Sequence, residues 1–446
     1  MKTQIATADF ADDADCFLVI TLMLNTYPQT YRIIGAAIEV HRELGNEFVE
    51  PIYHEALKIE FDRQGIEYVH EAPMQIYYKG ALLSSVYLRR ALNIADLSSR
   101  NTNLRNLRLR FFPLSFYEHI LRPLLFLLDP EAAHHLAMGS LREFSRVPSL
   151  LRLLTRPPAR SLERKVFGLR FPNPIGLAAG FDKNAVALPA WAGLGFGFVE
   201  IGTVTALAQA GNPRPRVFRL SEMEALINRL GFNNEGAERI GCRLEALRAS
   251  NAWPGIPVGI NIGKSRITPL ERASEDYLKT YQRLGDLGDY FVLNVSSPNT
   301  PGLRQLQERN ALGNLFRAIQ EENQARPLLA KIAPDLTVGQ IDDVVELAET
   351  CHLAGLIATN TTVDHSAVPA SQRREGGLSG KPLRERAVEV LQQIRKRSLL
   401  PVISVGGIMS ADDAKARFDA GADLIQIFTG FVYRGPRLIA EIMKIL

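Results

Sequence analysis

At roughly 150 residues per domain, a chain of 446 residues has room for about three domains, or for one large barrel with additions. Apolar residues at 46% and charged residues at 22% exclude a wholly disordered, collagenous or coiled-coil chain. The net charge of +4 is unevenly spread, since residues 100–170 hold thirteen Arg and Lys against five Asp and Glu, a local +8 that leaves −4 for the rest.

Near the start, the apolar run from Cys16 to Leu24 is interrupted by Thr21 and follows Asp9, Asp12, Asp13 and Asp15, where a secretory leader would be positively charged. No apolar run reaches the ~20 residues that span a bilayer. A helical period runs through Ile33, Ile34, Ala37, Ile38, Val40 and His41, then Ala56, Leu57, Glu60 and Phe61; Met74–Tyr78 reads as a strand closed by Lys79 and Gly80. An Asn- and Arg-rich linker follows at 96–114. Beyond it the pattern predicts two helices, Ser115 to Leu128 and Pro130 to about Arg146, in a zone (115–165) closed around Pro157 and Pro158. Cys16, Cys242 and Cys351 are odd in number and far apart, so neither a disulfide framework nor a metal site is expected, and a reducing compartment fits.

From 166 to 446 the pattern changes to short apolar runs alternating with helical stretches. The runs are 175–179, 198–204, 258–263, 290–296, 328–334, 355–360, 401–407 and 424–430. Eight strand candidates with helices between them predict an α/β fold, a (β/α)8 TIM barrel; a doubly wound open sheet is the competing arrangement. Polar or glycine residues at one end of every run favour the barrel, whose sites lie at the carboxyl ends of its strands. They are Lys183, Thr203, Asn261, Asn294, Lys331, Asn360, Gly406 with Gly407, and Thr429 with Gly430.

The last two ends, SVGGIMSADDA and FTGFVYRGP, place glycines beside helix starts, a geometry that suits a phosphate as well as a plain turn; Asp412 and Asp413 read as helix caps. Lys183 and Lys331 would put two ammonium groups into an apolar mouth, each calling for an anion, such as a flavin ring gaining electrons or a substrate carboxylate. Ser296, Ser297, Pro298, Asn299 and Thr300 form a stiff polar loop. With Asn228, the turn at Gly231, Asn294 and Asn360, they offer both donors and acceptors to a small planar anion.

Taken in order, GLAAGFDKN, EIGTVT, GNPRPRVFRL, LINRLGFNNEG, GINIGK, NVSSPNTPGLR, KIAPDL, IATNTT, GGLSG, VGGI and GFVYRGP resemble the quinone-dependent (class 2) dihydroorotate dehydrogenases, over Phe116 to Leu446. The resemblance implies an FMN enzyme of pyrimidine synthesis that oxidises dihydroorotate to orotate and passes electrons to a membrane quinone. It implies Ser297 as the base, where related soluble classes carry cysteine. Substrate contacts carried over by motif are Lys183, Asn228, Arg229, Leu230, Gly231, Phe232, Asn294, Asn299, Asn360 and Thr361. FMN contacts are Ala179, Gly180, Phe181, Asp182, Lys183, Thr203, Asn261, Asn294, Lys331, Thr359, Gly380, Gly407, Phe428 and Thr429, the family more often having Tyr and Ser at the last two positions.

In the same family an amphipathic helical pair lies on the membrane and lines the quinone tunnel. Here Phe116, Ile120, Leu121, Leu124, Leu125 and Leu128 form an apolar stripe in an Arg-rich setting, as interfacial helices do; a helical cap on the barrel is the alternative. The resemblance implies peripheral attachment through 115–146 at the cytoplasmic face of the inner membrane, with His134 and Arg219 as quinone contacts. A nucleic-acid role for the basic stretch is disfavoured, as it lacks interleaved aromatics. Rival functional readings are an NAD- or fumarate-linked enzyme of the same chemistry and a non-catalytic membrane-bound scaffold.

Residues 1–95 are similar instead to the small GxxExxY proteins, with Glu50 and Tyr53 matching and Glu47 where the motif has glycine. The Asp and Glu-x-Lys set of the nuclease-like folds linked to that family is missing after Gly80. A truncated appended α/β segment without catalytic competence is therefore expected there.

Overall fold

The computed structural model describes residues 59, 62–63, 74–78, 81–86, 117–145, 162–250, 252–300, 302–322 and 326–446. The expected helical stretch from Ile33 to Phe61 (Ile59 apart), the linker at 96–114, Ser115, Phe116, Pro157 and Pro158 lie outside the described residues. The chain divides into two compact units, Met1–Phe111 and Phe112–Leu446. In the first, Met74–Tyr78 is a strand as expected, and Ala81–Val86, which the sequence reading did not extend to, pairs with it antiparallel.

Eight strands in the second unit close a parallel barrel in chain order: β1 Ile175–Leu177, β2 Phe198–Val204, β3 Val258–Ile262, β4 Tyr290–Asn294, β5 Leu328–Ile332, β6 Gly355–Ala358, β7 Val402–Val405 and β8 Leu424–Ile427. Closure rests on β8 pairing with β1, Ile425 opposite Ile175 and Ile427 opposite Leu177, which excludes the open sheet. All eight are buried on both faces, which is why they read as continuous apolar runs and not as alternating ones.

Outside the barrel, α1 is Arg122–Phe126 and α2 Pro130–Phe144; the barrel helices are α3 Leu188–Gly193, α4 Gly236–Ala249, α5 Ala273–Leu284, α6 Arg309–Glu322, α7 Val338–Thr350, α8 Arg384–Arg395 and α9 Ala411–Asp419, with α10 Thr429–Arg434 and α11 Pro436–Ile445 closing the chain. Three of them bury one narrow stripe at i, i+3, i+4 and i+7: Leu312, Leu315, Phe316 and Ile319 on α6; Ile341, Val344, Val345 and Ala348 on α7; Ala387, Val390, Leu391 and Ile394 on α8. Each large aliphatic or aromatic side chain so buried contributes about 1.5–3 kcal/mol. Thr337 and Gln340 start α7 with a reciprocal capping box.

The amino-terminal end of the barrel is plugged. A hairpin, Arg164–Val166 with Leu169–Phe171, brings Phe167 and Phe171 against Phe198 and Tyr290, the first residues of β2 and β4, at ring separations of 5.2 to 6.4 Å. Gly259 makes room for this plug, because a Cβ there would fall 2.1 Å from the Tyr290 ring. With that end filled by aromatics, the polar strand ends lie at the carboxyl end. There a small antiparallel sheet, Val217–Leu220, Ala225–Asn228 and Gly377–Gly380, forms a wall that ends on Asn228.

The expected first helix is not uniform. Tyr117–Leu121 is a π-helical turn, and only Arg122–Phe126 is α-helical, with Pro123 inside its first turn. Proline supplies no N–H to the ladder, so a regular helix does not run through it. This segment is tied to the chain's end by Tyr117 Oη donating to the Val432 carbonyl at 2.5 Å, by Arg122 to that of Tyr433 at 2.9 Å, and by Glu118 pairing with Arg434 and Arg437. Asp129 caps α2, and Glu131 in its first turn holds the buried Arg216 at 2.6 Å.

Candidate active site

All eight strand ends contribute to one mouth. A single hydrogen-bonded chain crosses it. Asn360 Nδ2 donates to Ser296 Oγ (2.9 Å) and Asn294 Oδ1 (3.3 Å); Asn294 Nδ2 donates to Thr203 Oγ1 (2.9 Å) and Asn261 Oδ1 (3.1 Å); Thr203 Oγ1 donates to Asn261 Oδ1 (2.6 Å). Asn261 then donates to Glu200 Oε1 at 2.8 Å, which also receives Lys331 Nζ at 3.4 Å, while Gln426 donates to Glu200 Oε2 at 2.6 Å. Every member is buried or nearly so, and in so dry a place each bond is strong and each broken one costly.

Glu200 escaped the sequence reading, although the signal was present. A lone acid inside FVEIGTV is a buried charge in the middle of an apolar strand, and such a charge is kept only with a partner. Here the partner is Lys331, with two amides completing the carboxylate's hydrogen bonds.

On the rim, Asn299 Nδ2 donates to Asn228 Oδ1 at 3.0 Å, and its N–H to Ser297 Oγ at 3.3 Å. Lys183 Nζ donates to Asn233 Oδ1 at 2.8 Å. Burial above all, with the charge of Arg216 adding to it, lowers the Lys183 pKa to about 8. Thr300 is buried, and its Oγ1 has no hydrogen-bond partner among the described residues. Phe232 turns with a φ of 52°, its ring against Gly263. Leu230 and Gly231 present main chain, their carbonyls taken by Asn212 and Gln209.

Two predicted residues have their side chains engaged with protein groups. Arg229 turns outward, to Glu375 at 3.2 Å and the Pro215 carbonyl. Asp182 is fully buried and spent on its own loop, accepting from the N–H groups of Val186 and Ala187 and from Trp191 Nε1 at 2.8 to 3.0 Å. Burial pushes its pKa up, against those hydrogen bonds. Asp412 and Asp413 are not the caps of α9. Ser410 is, and Asp413 instead accepts from the Met409 N–H and pairs with Arg384.

A brace not foreseen from sequence holds the loops in register. Arg304 donates to the carbonyls of Ser296 (3.0 Å) and Thr361 (3.0 Å) and to Asp335 (2.7 Å), which also receives the Thr362 hydroxyl. Loops after β4, β5 and β6 are thereby fixed to one guanidinium. Thr359 and Thr361 are anchored in addition, the Thr359 N–H to the Val405 carbonyl and the Thr361 N–H to Asn360 Oδ1, both at 2.8 Å.

Beyond β1, Ala179 and Gly180 lie open to the mouth, and the Phe181 ring meets Trp191, Phe428 and Phe431. His134 of α2 packs edge-on against Phe181 at 5.2 Å. Burial, reinforced by the Lys183 charge, pushes its pKa down to about 3, so its ring is neutral. Arg219 lies 3.9 Å above the Phe126 ring and donates to the Phe126 carbonyl; its buried Nε has no partner among the described residues. On the β8 side, next to β1, Gly380 lies against Thr429, whose Oγ1 is 2.9 Å from Ser379 Oγ, and Gly407 lies in the turn after β7.

This donor set fits a flavin. An ammonium, two buried amides and a hydroxyl (Lys331, Asn261, Asn294, Thr203) complement a ring edge of alternating carbonyl and imino groups, and glycines on two adjoining loops leave backbone accessible to a phosphate.

Comparison with known proteins agrees with the geometry. Residues 161–446 match the dihydroorotate dehydrogenase family, and residues 28–92 match the PD-(D/E)XK nuclease superfamily. A dihydroorotate dehydrogenase (quinone) of Gloeobacter violaceus is 52% identical over 330 residues, covering 73% of this chain and 92% of the relative. One of Salinispora arenicola is 52% identical over 332 residues, covering 72% and 96%. A crystal structure of DHODH from Eimeria tenella in complex with ferulenol superposes with a TM-score of 0.66 at 34% identity, covering 72% of this chain and 93% of that one. The chain belongs to the dihydroorotate dehydrogenase family.

Proposed function

We propose that this chain oxidises dihydroorotate to orotate, with FMN as the bound electron carrier and a membrane quinone as the final acceptor. What supports the reading is the set of polar groups at the strand ends: Asn299, bonded to both Asn228 and Ser297, Asn294 and Asn360, bonded to Ser296 and joined to the Lys331 network, and Lys183 beyond β1. Lys183 and the four asparagines offer one cation and four amides to a small planar anion whose ring is itself a chain of amides. When bound, FMN supplies two-electron acceptance from the substrate and release of those electrons to the quinone.

The protein's own part is binding and proton handling. Lys183 offsets the substrate carboxylate, and the amides hold the ring in one orientation, so that a ring C–H faces Ser297. A serine hydroxyl is a weak base unless its own proton is carried off. Thr300, buried three residues on with a hydroxyl that has no partner among the described residues, would supply the next step of such a relay. His134, packed on Phe181, and Arg219, over the Phe126 ring, would contact the quinone head, and in the same segment Leu124, Leu127 and Leu128 are 59%, 83% and 40% exposed. A leucine face of this kind, next to a basic stretch, favours attachment to an anionic lipid surface over a cap on the barrel. No described helix is long and apolar enough to cross a membrane. We place the chain peripherally on the cytoplasmic face of the inner membrane, and we read residues 1–95 as an appended segment without catalysis.

Anaerobic mixing with dihydroorotate tests substrate, cofactor and acceptor together. The flavin absorbance is expected to bleach, then to recover on adding vesicles that carry a quinone; recovery with fumarate or NAD but not quinone would reassign the acceptor.

Orotate affinity should also depend on pH. The charged form of Lys183 binds the carboxylate, and with a pKa of about 8 it is fully charged well below that value. Affinity is expected to be level up to about pH 8 and then to fall towards tenfold per unit, a dependence that Lys183→Met removes. A titration of orotate that stays level to pH 9.5 would show that Lys183 is not the anion's partner.

A further inference from the structure

Between β7 and α9 the chain turns through Gly406 and Gly407, with φ of 111° and 71°. Behind this turn lies Arg417 of α9, 0% exposed. Its Nη2 donates to the Gly406 carbonyl at 2.6 Å and to that of Arg384 at 2.8 Å, while Nε and Nη1 have no hydrogen-bond partner among the described residues. Asp413, whose negative charge acts on Arg417, is itself hydrogen-bonded to Arg384 and the Met409 N–H. Arg417 is thus a fully buried cation with spare donors and no carboxylate hydrogen-bonded to it, an arrangement that is costly unless an anion completes it.

Where that anion would sit is indicated by the neighbouring loops. A Cβ on Gly430 would lie 2.1 Å from the Ile408 carbonyl, and one on Gly380 2.9 Å from Thr429, so the turns after β7 and β8 and the Gly377–Gly380 strand meet here. The Gly406 carbonyl and the Gly407 N–H belong to one trans peptide and point in opposite directions. A guanidinium that holds the carbonyl from behind therefore presents the N–H to the front.

We propose that Arg417 is a positioning residue for the phosphate end of FMN: it fixes the Gly406–Gly407 peptide with its N–H outward and supplies the positive charge that makes this turn selective for a phosphate-bearing flavin. The proposal rests on the FMN reading above. Arg417 does not touch the reacting atoms, so its effect is on which flavin is held.

The test uses the full-length chain freed of flavin, titrated with FMN and separately with riboflavin, which lacks the phosphate. The unsubstituted protein is expected to prefer FMN. In Arg417→Gln, which stays polar but neutral, the FMN-to-riboflavin preference is expected to fall by about tenfold to 100-fold, the worth of a hydrogen bond to a charged group, with riboflavin affinity little changed. Arg417→Lys, which keeps the charge, should retain most of the preference and serves as the folded control. Inorganic phosphate should compete with FMN in the unsubstituted protein and lose that effect in Arg417→Gln. Equal weakening of both flavins, or an unchanged preference in Arg417→Gln, would overturn the proposal. An unsubstituted protein that binds both flavins alike would remove the phosphate site alone, whereas one that binds neither would remove the FMN reading and this inference with it.

Discussion

Ser297→Ala is expected to slow the reduction of bound flavin by dihydroorotate by about 10²- to 10⁴-fold, the usual contribution of a positioned general base. Orotate binding should weaken by no more than about fivefold, the worth of one neutral hydrogen bond. The split follows from the geometry. Among the described residues Ser297 Oγ accepts from the Asn299 N–H at 3.3 Å, whereas the groups proposed to grip the ring are Lys183 and four asparagines. Removing the hydroxyl leaves the grip and takes away the proton acceptor. Rapid mixing under anaerobic conditions reads the first quantity and spectral titration with orotate the second; equal losses in both would sink Ser297 as the base.

Lys331→Met should be the most destabilising single change in the mouth. Lys331 and Glu200 are both buried, 3.4 Å apart. Deleting one partner of a buried pair strands the other and costs about 3–5 kcal/mol, a fall in melting temperature on the order of 10 °C for a domain of this size. Glu200 would keep Asn261 and Gln426, but these amides satisfy its hydrogen bonds without its charge. Thermal melts of flavin-free protein are expected to show most of the loss recovered in Lys331→Met with Glu200→Gln. A single variant as stable as its parent would show that the pair contributes nothing.

Much of this architecture could be read from the chain because barrel strands and their polar ends are local patterns. The eight runs all became strands, but several end earlier than their apolar stretch: 290–296 stops at Asn294 and 328–334 at Ile332. Val295 and Ala333 are buried without being in the sheet, and periodicity cannot tell a buried loop residue from a strand residue. Pairings over long separations were beyond the sequence reading. Arg304 meets Asp335 from 31 residues away, and Arg434 meets Glu118 from 316; neither partner's composition says which of the many acids or arginines it will find. Arg229 shows the converse limit. It sits inside the string LINRLGFNNEG, where the resemblance expected a substrate contact, yet its side chain leaves for Glu375.

The hydrogen-bonded chain across the mouth has a further consequence for how the molecule assembles. Its members come from β2, β3, β4, β5 and β8 and from the loops after β4 and β6, so a fragment lacking any of these breaks the chain. A molecule bound only by the finished ring adds its binding free energy to the stability of the ring as a whole, in proportion to the logarithm of its concentration. Cofactor supply would then act as a folding determinant as well as a catalytic one.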